Sequence, residues 1–410
     1  MKTSTHFLQW FIVVLLLAVN VMGTMAQVPA DPSSPHSVCQ NNPEPYGVNL
    51  TANSTYDWKI IEDNDAGTIT VGATPNLITV NWTKPGDYTL QVTETNQYNC
   101  VGTPVSILVK VNPLPMINNK TATICSAETF TINPVDGINS DIVPAGTSYS
   151  WSAPVVAGIN GLAPGSGAPN ISGTLTNTTN APINVIYTIT PTSGTCPGAS
   201  FTVTVTVNPK PTITNKTATI CSTETFTISP VNNVTDIVPA GTTYTWNAPV
   251  IAGITGLASG NGAANISNTL TNTTNAPIDV VYIVTPTSGT CSGTSFTVTV
   301  TVNPKATIAD KTPAAICSGD GFTVSPVNVG TEIVPAGTTY SWSAPVDARI
   351  TGLASGSDAA DITGTLTNTT NAPINVVYIV TPTSGTCSGT SFTVTVTVYP
   401  QVKTSPIYHN

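Results

Sequence analysis

The chain has 410 residues, of which only 8% are charged, about a third of the usual share for a soluble domain, and it carries a net charge of −9. Its 40% hydrophobic content is too high for a disordered chain. An acidic balance without a basic stripe excludes nucleic acid, which needs cationic side chains to displace counterions, and disfavours an anionic membrane surface.

In chain order, residues 1–26 read as a secretory signal peptide: Lys2 in a short polar start, an apolar run over 7–19, and small Thr24 and Ala26 before a cut at Gln27. A run of 13 falls short of the ~20 residues that span a bilayer, and no later run reaches that length. The mature chain is therefore expected to be secreted or held at the cell surface, with no membrane span.

Residues 27–113 form a divergent first unit, followed by three copies of one repeat at 114–209, 210–305 and 306–400 and a short tail at 401–410. The first cysteine of each repeat falls at Cys125, Cys221 and Cys317, spaced by 96. The second follows 71, 70 and 70 residues later at Cys196, Cys291 and Cys387. The first unit has Cys39 and Cys100, 61 apart. Differences between copies gather at turn residues such as Asn261 and Gly262, whereas Phe, Val, Tyr and Trp positions are kept.

Inside a repeat the hydrophobic period is two. Phe296, Val298, Val300 and Val302 alternate with Thr297, Thr299 and Thr301, as do residues 201–207 and 392–398. Shorter strands are expected around Phe226 and Ile228, Tyr244 and Trp246, and Val280, Tyr282 and Val284. The units close on Pro113, Pro209 and Pro304, which cannot donate to a ladder, and leave almost no linker. Helix signals are absent. The expected fold is all-β: tandem β-sandwiches of immunoglobulin type, each with a core tryptophan at Trp58, Trp151, Trp246 or Trp342 between its two cysteines. In an exported protein paired cysteines are read as disulfides before metal ligands. One pair per unit predicts Cys39–Cys100, Cys125–Cys196, Cys221–Cys291 and Cys317–Cys387.

The repeats resemble the PKD-like domains found in tandem in exported and cell-surface proteins of Bacteroidota. The matching stretches are ICS at 220–222, GTTYTW ending in Trp246, LTNTTNAP from Leu270, YIVTPTSGTC ending in Cys291 and FTVTVTVNP from Phe296. The first unit is similar to a related PKD-like type through Tyr56, Asp57, Trp58, the stretch VNWTKPGDYTLQV and Cys100. The resemblance covers nearly all of the mature chain. It implies an immunoglobulin-like fold in a surface or secreted protein of gliding, adhesion or sorting-system type, with no catalytic residue. Such proteins often end in a C-terminal sorting domain, which is not seen here.

The chemistry tests point the same way. After residue 26 the only histidines are His36 and His409, near the ends, which removes His-based nucleophilic catalysis. Neither G-x-S-x-G nor H-E-x-x-H occurs. The chain is expected not to be an enzyme and to need no cofactor. Calcium has three sets of candidate acids: Glu128, Glu224 and Asp320; Asp141, Asp236 and Glu332; and residues 63–67 of the first unit. Counting from Asp63, however, the position that must close an EF-hand loop is Thr74. They are read as solvated turn acids. The threonine faces are read as solvated sheet, and sequons such as Asn81, Asn177 and Asn272 as chance. The function expected is a non-catalytic structural or adhesive stalk, monomeric, whose partner is an unknown surface protein or glycan. The alternative is a glycan- or calcium-binding accessory region of a larger secreted protein, weakened because loop 253–265 holds no aromatic side chain.

Overall fold

The computed structural model describes residues 34–402, 404–407 and 409, so the expected signal peptide lies outside the described residues. The second repeat shows the plan. Its strands are β1 (Lys216–Cys221), β2 (Glu224–Ile228), β3 (Thr243–Trp246), β4 (Ile254–Thr255), β5 (Gly260–Ala263), β6 (Ile266–Asn272), β7 (Ile278–Ser288), β8 (Cys291–Ser292) and β9 (Phe296–Asn303). One sheet runs β1-β9-β7-β3-β5, with β8 beside β7, and the other runs β2-β6-β4. All pairs are antiparallel except β1 with β9, the first and last long strands, which run parallel from Lys216 opposite Val298 to Cys221 opposite Asn303.

The alternation in β9 is what a half-buried strand requires. Phe296, Val298, Val300 and Val302 are buried while the threonines between them are only partly so. They meet Val280, Tyr282 and Val284 of β7 in register, and across the sandwich Phe226, Ile254, Ile266 and Leu270. Phe226 tilts onto Tyr282 at 5.6 Å and Tyr244 meets Phe296 edge-on at 6.4 Å. The outer face of β7 keeps Val281 and Ile283 exposed, beside Thr299 and Thr297 of β9.

The first repeat builds the same two sheets. The last builds the same larger sheet, with its smaller one broken into two strand pairs, Gly321–Val324 with Ile362–Thr365 and Ile350–Thr351 with Thr367–Asn368. The first unit builds a four-stranded and a three-stranded sheet. Four separate apolar cores result, drawn from residues 38–111, 117–207, 213–302 and 306–398. The tryptophans between the cysteines have a different setting from the one expected. No disulfide joins the two sheets of any sandwich, so none can pack against one. In the repeats the indole lies over a glycine of the edge strand, Trp246 over Gly260, and its Nε1 donates to Ala258 O at 3.0 Å. Trp151 and Trp342 repeat this with Gly165 and Gly356. Trp246 and Trp342 are buried, whereas Trp58 and Trp151 are half-buried. In the first unit the fully buried indole is Trp82, stacked on Tyr88 at 5.6 Å, with its Nε1 donating to Tyr46 Oη at 3.1 Å.

Candidate functional site at the module junctions

Within one sandwich the two cysteines sit at opposite poles. Cys221 ends β1 opposite Asn303, where β9 leaves for the next unit. Cys291 lies in the short hairpin strand opposite Ser288, at the far end of β7. The 11 residues of β7 separate those ends by ~35 Å, whereas bonded cysteines need Cα atoms some 4.4–6.8 Å apart. Pairing inside a unit is therefore geometrically closed, and the expected intra-unit bridges are corrected. The disulfides are Cys39–Cys196, Cys125–Cys291 and Cys221–Cys387, with Cα separations of 5.4, 5.6 and 5.6 Å. Each joins the exit pole of one unit to the entry pole of the next. Cys100, at the entry pole of the first unit, and Cys317, at the exit pole of the last, are free and exposed, against the expectation that both are bridged.

Both halves of a staple are held by their own backbone. At the exit pole, Ser222 N donates to Asn303 O, and Ser222 Oγ bonds both Asn272 O and Asn272 N. The buried Asn272 amide donates to Ala276 O and Val302 O, at 2.8 and 2.9 Å. Asn177 and Asn368 repeat the pattern, so the sequons at Asn177 and Asn272 have their amides engaged inside the protein. Glu224 accepts from Cys221 N and faces Lys305 of the following linker at 3.4 Å. The Cys221 N–H, then Lys305, hold its carboxyl below the usual range. Glu128 does the same with Cys125 N and Lys210. At the entry pole Gly293 N donates to Pro286 O, and Gly293 lies against the carbonyl of linker residue Pro211, leaving no room for a Cβ.

The acids near the IVPAG stretch are corrected from solvated turn acids to ion-pair partners, buried at Asp141 and Asp236 and half-buried at Glu332. Asp141 and Asp236 are 2% and 1% exposed, and each bonds a lysine of the unit's first strand, Lys120 and Lys216, at 2.5 Å. Glu332 holds Lys311 at 2.7 Å. Asp236 also accepts from Thr214 N and Oγ1, and Asp141 from Asn118 N, which ties the incoming linker to the sandwich. Burial pushes the Asp236 carboxyl upward, but the Lys216 and Thr214 bonds together outweigh it and bring its pKa to about 2. In the first unit Asp63 pairs with Lys84 at 2.9 Å and caps Asp65 N. Among the described residues no three His, Cys, Asp or Glu side chains gather in a way that could hold a metal ion. His36 bonds Glu44 at 3.2 Å on the first unit.

The family model for PKD-like domains matches residues 122–211, 218–306 and 314–402. The chain belongs to the PKD-like domain family. The matched stretches are the three repeats, and the first unit stands outside them. No curated protein matches the sequence. Among solved structures, the insect immune protein hemolin is 12% identical, with 89% of this chain and 98% of that one covered at a TM-score of 0.28. The human desmocollin-1 ectodomain is 13% identical, with 90% and 80% covered at 0.22. Sidekick-1 immunoglobulin domains 1–4 are 8% identical, with 91% and 98% covered at 0.23. None of these superposes closely enough to carry a functional reading. The PKD-like modules thus offer, as their recurring chemical feature, a disulfide at each junction, and no helix of the described residues is long and apolar enough to cross a membrane.

Proposed function

We propose that the protein is a non-catalytic structural or adhesive stalk of the cell surface or the extracellular space, built from modules bounded at 27–113, 114–209, 210–305 and 306–400. The observation that carries this reading is that every described pair of neighbouring modules is bridged pole to pole by a disulfide. Two tethers at each junction, the chain itself and the disulfide, remove the swing that a single short linker would allow. A spacer that must transmit position or tension over a distance needs that property; an enzyme scaffold does not. At ~35–40 Å per module, four modules make a rod of about 150 Å. The face that would meet a partner is the outward side of the larger sheet. There Val281 and Ile283, and Val377 and Ile379 in the next copy, stand exposed among threonines and recur with the repeat.

Two measurements test this. Small-angle scattering of the oxidised chain gives a rod-like profile, and reduction broadens its distance distribution as the junctions loosen. Cells lacking the protein adhere less to their substratum than cells carrying it. Unchanged adherence together with a scattering profile insensitive to reduction would refute the stalk reading. The secreted origin, and the bacterial-surface setting implied by the resemblance, belong to the same proposal; cell fractionation with an antibody tests them.

A further inference from the structure

The three staples share one geometry, and the two free cysteines are its unused halves. At the entry pole, Cys196, Cys291 and Cys387 each begin a Cys-x-Gly hairpin whose glycine N–H donates to a strand carbonyl: Gly198 to Pro191, Gly293 to Pro286 and Gly389 to Pro382. The first module has a related hairpin, one residue longer and held by a single bridge from Thr95 to Val101, in which Cys100, Val101 and Gly102 take these places and Gly102 N donates to Glu94 O at 2.8 Å. In the repeats that glycine is covered by a linker carbonyl, Pro115, Pro211 or Ala306. Around Gly102 the only described atom within 4 Å of a Cβ position is the hairpin's own Glu94 O.

At the exit pole, Cys125 and Cys221 are buried by the module that follows them. Cys317 keeps the same register, opposite Tyr399 where Cys221 faces Asn303, at the end of a strand shortened to Ile316–Cys317. Its neighbour Ser318 makes the bonds that fix the socket: N to Tyr399 O at 3.0 Å, and Oγ with Asn368 O and N at 3.2 and 2.9 Å. So a cysteine in the exit position and a cysteine in an entry hairpin stand exposed at opposite poles of the described row. The exit cysteine has the serine and asparagine bonds of its socket, but with Asp320 and Gln401 in place of the Glu224 and Lys305 pair. Cysteines in those two positions are joined three times within the row.

We propose that Cys317 of one molecule forms a disulfide with Cys100 of a second copy of this chain, so that the stalk extends by head-to-tail covalent assembly. The interface is heterologous, because the two surfaces differ, and a contact of that kind adds copies in a row unless the rotation closes a ring. The step is thiol–disulfide exchange with a disulfide-bearing oxidant, such as oxidised glutathione or a dithiol oxidoreductase of the exporting compartment. The Cys317 thiolate attacks the oxidant's disulfide and releases one of its thiols. The Cys100 thiolate then attacks the mixed disulfide, which forms the Cys100–Cys317 bond and releases the second thiol. Two protein thiols are oxidised and one oxidant disulfide is reduced. This goes beyond the stalk reading and stands or falls without any adhesion result.

The test uses the chain from Gln27 onward, folded in the presence of oxidised glutathione. Non-reducing electrophoresis is expected to show a ladder of covalent multimers that collapses to one band with reductant, and peptide mapping a Cys100–Cys317 cross-link. Cys100→Ser and Cys317→Ser, each melting like the parent, are each expected to remain monomeric. Mixed together, they are expected to give a dimer and nothing longer, since one supplies Cys317 and the other Cys100. Covalent dimers of either variant alone, or a parent chain that stays monomeric with two titratable thiols at high concentration, would overturn the proposal.

Discussion

Replacing both Cys221 and Cys387 with serine removes the last staple without leaving a thiol to mispair. With the preceding module intact, Cys221 is anchored opposite Asn303, so the disulfide closes a loop from Asn303 to Cys387, 84 residues, whenever the last module unfolds alone. The chain-entropy relation for a loop of that size gives ~4.5 kcal/mol lost from the stability of that module. For a domain near 100 residues, 1 kcal/mol shifts Tm by roughly 4–8 °C, so the melting of the last module falls by about 20 °C or more. The bridges Cys39–Cys196 and Cys125–Cys291 remain, so the other modules hold their transitions. Differential scanning calorimetry of the oxidised variant against the parent resolves this as one transition moving away from the rest. A last transition displaced by less than ~2 °C would refute the loop argument. A parent peptide map with Cys221 bonded to Cys291 would refute the geometry beneath it.

Four further outcomes follow from the interior. Lys216→Met leaves the carboxylate of Asp236, 1% exposed, without its cation and should destabilise the second repeat by about 3–5 kcal/mol in urea unfolding, with Asp236→Asn added to the variant recovering part of the loss. Because folding lowers the Asp236 pKa to about 2, its ion pair contributes fully above the ordinary carboxylate value near 4; that contribution, ~2 kcal/mol, is lost as the pH falls from about 4 to 2, measured as urea midpoints against pH. Asn272→Leu orphans the carbonyls of Ala276 and Val302 and should cost about 2–4 kcal/mol in the same assay, while Asn268→Ala on the partly buried neighbouring site costs far less. Thr223 holds a φ of 70° where the next repeat has Gly319, so Thr223→Gly should raise stability by roughly 0.5–1 kcal/mol, and a lower Tm would contradict the strain assigned there.

The fold was legible because it rests on local signals. Alternation of Phe and Val with Thr over residues 296–302 places one face inward whatever the strand's neighbours are, and Pro304 stops it. The disulfides were not legible because they depend on polarity, which alternation does not encode. Two cysteines in one sandwich look like partners until it is known that the first strand runs parallel to the last, from Lys216 beside Val298 to Cys221 beside Asn303. An antiparallel pairing would have carried Cys221 to the Phe296 end of β9, near the pole that holds Cys291. The parallel pairing carries it to the opposite pole. The buried acids were hidden for a related reason. Asp236 and Lys216 are 20 residues apart with no periodic relation, and only the short bridge between Thr212 and Ile237 brings the linker, the acid and the strand start together. That bridge recurs as Met116 with Ile142 and Thr307 with Ile333, so each linker is bound into the module it enters. A linker bound in this way fixes the entry hairpin relative to the module before it. Only then can a cysteine at one pole meet the same partner at every junction.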